Sequence, residues 1–321
     1  MQLTRRAFGQ GALAAAWMLA SRRAWSLSSK FFRVGVISDE ISQDFDHACF
    51  IAAREFGLQW VELRGLWSKS VLDLTEQEHA EAQRVLSRYG LQVTDIASPL
   101  FKVDWPYAPP TQHAKPGPRP AAEAVFAGQQ QVLEKSIAAA KRFGTDKVRC
   151  FDFWRIEDQA PHRKAIDAKL AEAAATCGRS GVLLVLENEF ECNTATGREA
   201  AATLAATPSP HLALNWDPAN AVMLGEMDAF PGAWQLLPKH RIHHCHVKNA
   251  VVGPNGKVAW APVGQGVLDW TAQFRALARV GYRGAVSLET HWHGGGTPEE
   301  SSRQSWAGMK QTLVDSGCAT A

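Results

Sequence analysis

Four residues able to bind a cation or move a proton close four apolar runs: Glu187 in LVLENEF, Asp217 in NWDPAN, His246 in HCHVKN and Glu289 in SLETHW. They fall 30, 29 and 43 residues apart. If the runs deliver their ends to one point, three carboxylates and an imidazole meet there. Such groups repel one another and resist desolvation unless a cation lies between them. A divalent metal ion resolves that cost. The set then has a chemistry. A proton next to a carbonyl is weakly acidic, so its removal calls for a cation to hold the developing enediolate oxygen and a carboxylate within reach as base. Two carboxylates on opposite faces, one removing the proton and one returning it, invert the centre. Isomerisation adds a proton shuttle between oxygens, for example by water, and β-elimination shares the first step and then expels a substituent.

Convergence of this kind needs strands whose C-terminal ends lie together. Short β-rich runs alternate with amphipathic stretches, the pattern of repeated βα units on a parallel sheet. Strands are expected at 32–38, 60–64, 92–98, 147–153, 182–188, 212–216, 242–248 and 285–290. Between them lie helical patterns such as DFDHACFIAAREFG, TEQEHAEAQRVLSRYG and LDWTAQFRALARVGYRG, several ending in a glycine suited to a left-handed cap. Eight units predict α/β architecture as a single closed (β/α)8 TIM barrel, with its active site where the strands end. The intervals between the four residues are close to the ~31 residues per unit expected if about 250 residues make eight. An open dinucleotide-binding sheet would carry G-x-G-x-x-G after its first strand, where this chain has SDEISQDF. The proline-rich segment 99–120 reads as an enlarged loop over the active-site face.

The first 29 residues stand outside the barrel, which is assigned to residues 30–321. Arg5-Arg6 follow Thr4, Phe8 stands two places on, and a short alanine-rich apolar run comes next, which resembles a twin-arginine export signal. The small residues Ala24 and Ser26 place cleavage after Ser26, with Arg22 and Arg23 close by; retention as an uncleaved anchor is the alternative. The expected partner is the twin-arginine translocation machinery and the expected location the periplasm. Removing Arg5, Arg6, Arg22 and Arg23 leaves 30 basic residues against 32 acidic, moving the formal charge from +2 to −2. That balance disfavours nucleic acid as a partner. At 46% hydrophobic and 21% charged the chain is neither disordered nor collagen-like. Cys49, Cys150, Cys177, Cys192, Cys245 and Cys318 are scattered without C-x-x-C spacing and read as small buried hydrophobes.

LEN at Glu187, WDPAN at Asp217, HVKN at His246 and the closing stretch VGQGVLDWTAQFRALARVGYRGAVSLE resemble, in order and spacing, the xylose isomerase-like TIM barrels. That family includes sugar phosphate isomerases, sugar epimerases and endonuclease IV-type proteins. The resemblance covers nearly all of residues 31 to 315. It implies that Glu187, Asp217, His246 and Glu289 are the ligands of one divalent ion, manganese first, with magnesium or cobalt as the others. Oxygen and imidazole ligands suit such ions. It also implies that Glu187 and Glu289 flank the substrate as the proton-transferring pair. Asn249 stands where the family often has Asp, and Asn220 where many epimerases have His.

Other residues are weighed for substrate contacts. Glu62 and Arg64 end the second strand and could bind substrate hydroxyls or pair with each other. Lys102, Lys248 and His291 are candidate substrate binders, with Trp67, Trp105 and Trp292 as pocket aromatics. Either Lys147 or Arg149 faces the barrel interior, and His244 shares strand parity with His246 at greater depth. HGGGTPEE at 293–300 is a helix start or a phosphate cup; without G-x-S-x-G it is no hydrolase oxyanion loop. Export favours the plain helix start and a free or oxidised sugar over a sugar phosphate. The expected activity is metal-dependent isomerisation or epimerisation of a small carbohydrate by proton transfer next to a carbonyl. The alternatives are a 3-keto-glycoside lyase or hydrolase using the same metal and base, and a non-catalytic periplasmic sugar-binding protein. Assembly as a homo-oligomer stays open.

Overall fold

The computed structural model describes residues 27–112 and 122–320. The expected export signal and its cleavage point lie in residues 1–26, outside the described residues, as does part of the proline-rich loop at 113–121. Ser28–Ser29 pair antiparallel with Ala319–Thr320, so the described fold starts just ahead of residue 30 and ties its two ends together. No helix among the described residues is long and apolar enough to cross a membrane.

All eight expected strands are present: β1 (Arg33–Val36), β2 (Trp60–Leu63), β3 (Gln92–Leu100), β4 (Lys147–Cys150), β5 (Leu183–Glu187), β6 (Leu212–Trp216), β7 (Ile242–Val247) and β8 (Ala285–Leu288). From β2 to β8 each pairs in parallel with the next in sequence, and β8 pairs back to β1. The remaining seam, between β1 and β2, is joined by one parallel bridge, Ile37 to Glu62. Gly35 lets the two strands come this close, since a Cβ there would lie 3.3 Å from the Trp60 carbonyl oxygen. The eight parallel strands form a nearly closed TIM barrel, with Val36, Leu63, Ile96, Cys150, Leu186, Leu214, Val247 and Leu288 all buried.

Local chemistry sets the helix boundaries. The helix Glu76–Tyr89 starts in a capping box, with Thr75 Oγ1 accepting from Glu78 N–H and the Glu78 carboxylate accepting from Thr75 N–H, and it ends at Gly90 with φ of 68°. Thr196 and Glu199 make the same box for Gly197–Ala206. These helices turn their apolar faces onto the strands, so each strand is buried on both sides and delivers its last residue to one rim. The six cysteines are buried and unpaired in disulfides, as small hydrophobes should be.

Candidate active site

The rim at the C-terminal ends of the strands gathers the four strand-end residues. One ligand atom from each of Glu187, Asp217, His246 and Glu289 lies within 4.8 Å of every other. All four side chains are buried. His246 Nδ1 faces Glu187 Oε1 at 3.2 Å, Glu289 Oε2 at 3.0 Å and Asp217 Oδ2 at 3.8 Å.

These side chains are held by different devices. Glu187 ends β5; its carboxylate accepts from Arg149 Nη1 on β4 at 3.1 Å and from Asn220 Nδ2 at 3.1 Å. Asp217 follows β6 and caps the helix Pro218–Met223, with Oδ1 accepting from the N–H groups of Ala219 and Asn220. Asn188 grips its backbone from both sides, donating to Asp217 O at 2.7 Å and accepting from Asp217 N–H at 2.8 Å. Glu289 extends the β8 ladder by one residue, its N–H donating to Val247 O. Lys248 Nζ lies 2.9 Å from Asp217 Oδ2 and 2.7 Å from Glu289 Oε2, but it is aligned for a hydrogen bond with neither.

The result is three carboxylates in three electrostatic states. Burial pushes Asp217 up to about 7, against the pull of Lys248. At Glu187 burial acts the same way, yet His246 and Arg149 overcome it and hold the group down at about 2. Glu289 is held well below the usual range, where Lys248 above all, with His246, outweighs its burial. Burial and Lys248 drive His291 down to about 3, leaving a neutral imidazole near neutral pH.

This cluster fits a divalent ion on its own terms. Asp217 Oδ2 and Glu289 Oε2 are buried oxygens without a well-aligned donor, a state that is costly unless something else fills their lone pairs. Three carboxylate groups and one imidazole are suitable ligands. Glu187, Asp217, His246 and Glu289 would hold the ion.

Beside the cluster opens a cavity of about 410 Å³, lined by Arg64, Lys102, Arg149, Glu189, Glu289 and His291 among others. Its size falls in the roughly 300–1,000 Å³ range of small-molecule sites. A wider recess of about 720 Å³ at the opposite end of the barrel, lined by Arg33, Gln92, Gly144 and Gly181, contains none of the cluster residues. Arg64 donates to Asp39 at 3.0 Å and Glu40 at 2.6 Å and reaches Glu289 at 3.4 Å. Lys102 donates to Glu189 at 3.0 Å and faces the rings of Phe151 and Trp154. His291 Nδ1 is buried without a hydrogen-bond partner.

Several expected substrate contacts are placed elsewhere. Glu62 is fully buried beneath His246, its carboxylate turned to the imidazoles of His246 and His244, so it does not line the mouth. Nor does it pair with Arg64, which turns outward to Asp39 and Glu40. Trp105 is packed among Tyr107, Phe126 and Phe153, and Trp67 stands edge-on to Phe45. Trp292 covers Gly294, where a Cβ would lie 2.5 Å from the indole. The aromatics near the cluster are instead Phe151, which lines the cavity under Arg149, and Trp260, with Lys248 Nζ 5.2 Å from the Trp260 ring centroid and the His291 ring 5.0 Å away from it; Trp260 lies on the chain between His246 and Glu289. It sits on an antiparallel hairpin, Asn249–Val252 with Val258–Ala261, inside the longest of the three intervals. Of the pair on β4, Arg149 faces the interior, while Lys147 pairs with Asp146. Asn249 serves this connection: its Oδ1 accepts from Leu268 N–H and its Nδ2 donates to Leu268 O. Asn188, which holds the Asp217 backbone, and Glu189, which lines the cavity, add to the site; their signal in the sequence is their place directly after the end of β5, in LENEF.

Residues 50–312 match the xylose isomerase-like TIM barrel family. The chain belongs to that family. No curated protein matches it. Among solved structures, a xylose isomerase-like TIM barrel protein from Mycobacterium smegmatis in complex with magnesium is 17% identical, with a TM-score of 0.62 over 85% of this chain and 89% of that one. An L-ribulose 3-epimerase is 18% identical, with a TM-score of 0.62 over 89% and 95%. A probable 3-DHS dehydratase of petrobactin synthesis from Bacillus anthracis is 18% identical, with a TM-score of 0.64 over 88% and 98%. At these identities the likeness is one of fold.

Proposed function

We propose that the protein is an exported, divalent-metal-dependent isomerase or epimerase of a small neutral carbohydrate, manganese being the first candidate ion. The observation that carries this reading is the buried group of Glu187, Asp217, His246 and Glu289, with two carboxylate oxygens lacking aligned donors, of which Glu289 reaches the wall of a sugar-sized cavity. Bound there, a divalent ion supplies Lewis acidity toward substrate oxygens.

The remaining work falls to side chains. Glu187 and Glu289 are kept ionised by their cationic neighbours, so either can accept a proton from carbon. They follow or end strands separated by β6 and β7, which allows each to address a different face of a substrate seated between them. Lys248, with three donors and no aligned acceptor, is poised to donate to a substrate oxygen. Neutral His291 can donate or accept toward a hydroxyl, and Trp260 offers an apolar face to a sugar ring.

The charge pattern favours a substrate without phosphate or carboxylate. Arg64, Lys102 and Arg149, which line the cavity, each already donate to a carboxylate. At the glycine run before the helix Pro298–Asp315, Thr297 caps Glu300 N–H, Gly295 N–H donates to Ser301 Oγ, and Glu299 and Glu300 occupy the first turn. Two carboxylates at the start of a helix oppose an anion there. The test is a panel of ketoses, aldoses, 3-keto-sugars and sugar phosphates incubated with manganese-loaded protein, with products identified by NMR. An epimer or isomer of a neutral sugar supports the reading; an eliminated product assigns the site to a lyase; tight binding without turnover makes it a binding protein.

A further inference from the structure

We infer that Glu62 is a positioning residue for the metal centre: its carboxylate accepts the Nε2–H of His246 and so keeps the Nδ1 lone pair directed at the cluster of Glu187, Asp217 and Glu289. The inference rests on the reading of His246 as a ligand, and it concerns what makes His246 a good one.

The geometry is two-sided. His246 Nδ1 faces three carboxylate oxygens of the cluster, while Nε2 points the other way, 3.1 Å from Glu62 Oε1 and 3.2 Å from Oε2. Among the described residues Glu62 is the only carboxylate facing Nε2. Asn215 Nδ2 is also near, at 3.1 Å from Nε2 and 3.3 Å from Nδ1, but an amide nitrogen donates and cannot take the Nε2 proton. Its orientation is set from below, where Asn215 Oδ1 lies 3.1 Å from His244 Nδ1. Which nitrogen of a histidine carries the proton is fixed by the partner of the other. A carboxylate on Nε2 therefore selects the Nε2–H form whenever a cation occupies Nδ1, and it raises the basicity of Nδ1.

Glu62 is itself anchored where it can span the barrel. It stands on β2 at the seam, bridged to Ile37, and Ser38 Oγ donates to its carbonyl oxygen. Its Oε2 is 3.6 Å from His244 Nε2, which in turn lies 3.1 Å from Asp95 Oδ1. All of these side chains are fully buried. A carboxylate in such a place is costly unless its partners are constant, so a packing role alone gives no reason for Glu rather than Leu.

The test compares manganese affinity of wild type and Glu62→Gln by calorimetry, with histidine ¹⁵N NMR of the zinc-loaded wild type. Loss of a carboxylate behind a metal-bound histidine costs roughly 10–100-fold in affinity, and that weakening is expected here with folding retained. The NMR spectrum is expected to show His246 protonated at Nε2 and zinc-bound through Nδ1. Equal affinity in wild type and a folded Glu62→Gln overturns the inference and leaves the metal reading standing. So does an Nδ1-protonated His246 in the zinc-loaded wild type, a result that needs no variant to fold. Failure of wild type to take up either ion overturns both.

Discussion

Asp217 performs two tasks with two oxygens, and a pair of substitutions separates them. Oδ1 accepts from the N–H groups of Ala219 and Asn220, while Oδ2 faces the cluster and Lys248. Asp217→Asn keeps a capping oxygen and removes the anionic ligand; Asp217→Ala removes both. Losing the cap costs about 1 kcal/mol, within a range of roughly 0.5–2. A direct ligand should matter more than a residue behind one, so both variants are expected to weaken metal binding by at least the ~100-fold upper figure for supporting residues. The assay is thermal unfolding with and without manganese at ~100 times the wild-type dissociation constant. There the wild type gains about 2.7 kcal/mol, and a variant binding 100-fold more weakly gains only about 0.4. Without metal, Asp217→Asn should unfold at a higher temperature than Asp217→Ala. Metal stabilisation of both variants equal to that of wild type would refute the assignment of Oδ2 as a ligand.

Three further outcomes are expected. With metal content matched, a two-base epimerase predicts that Glu187→Gln and Glu289→Gln each block inversion, one of them still exchanging the substrate proton with solvent; a one-base enzyme predicts severe loss in only one; full turnover in both removes the glutamates as bases. In the metal-free protein Asp217 keeps its proton up to about 7 whereas the unfolded chain loses it near the ordinary aspartate value, so Asp217 disfavours folding progressively as pH rises through that window. The same proton competes with the ion, so calorimetry should show manganese affinity falling as the pH drops through the region near 7; an affinity constant from pH 5 to 8 contradicts this. Arg5→Lys with Arg6→Lys should hold the protein in the cytoplasm, and unchanged periplasmic recovery where only the twin-arginine route is open removes the export proposal.

The strand plan was legible because each apolar run is bounded by caps and turns with local chemistry of their own, such as Thr75 with Glu78 and Gly90. The four cluster residues were legible too, since a carboxylate or imidazole that closes a buried strand is costly there unless it meets a partner. Depth and lateral neighbours were not. Glu62 reads from sequence like any strand-end acid, but whether it reaches the mouth or lies under it depends on His246, 184 residues away. Trp105 became core through Phe126 and Phe153, which reach it from separate parts of the chain. Trp260 was foreshadowed only by the long interval between His246 and Glu289, which holds its hairpin. Lys248 was readable as inward by its parity with His246, but its place between Asp217 and Glu289 depended on how the strands sit side by side.

The central claim, proton transfer at carbon that depends on the metal cluster, is tested most directly by NMR of a neutral ketose with manganese-loaded protein in D₂O, the manganese being removed before spectra are recorded. Deuterium should enter at the carbon next to the carbonyl, cease when a chelator strips the ion, and return when manganese is restored. Conversion of the sugar with its original hydrogen retained, or exchange that continues without the ion, would contradict the account.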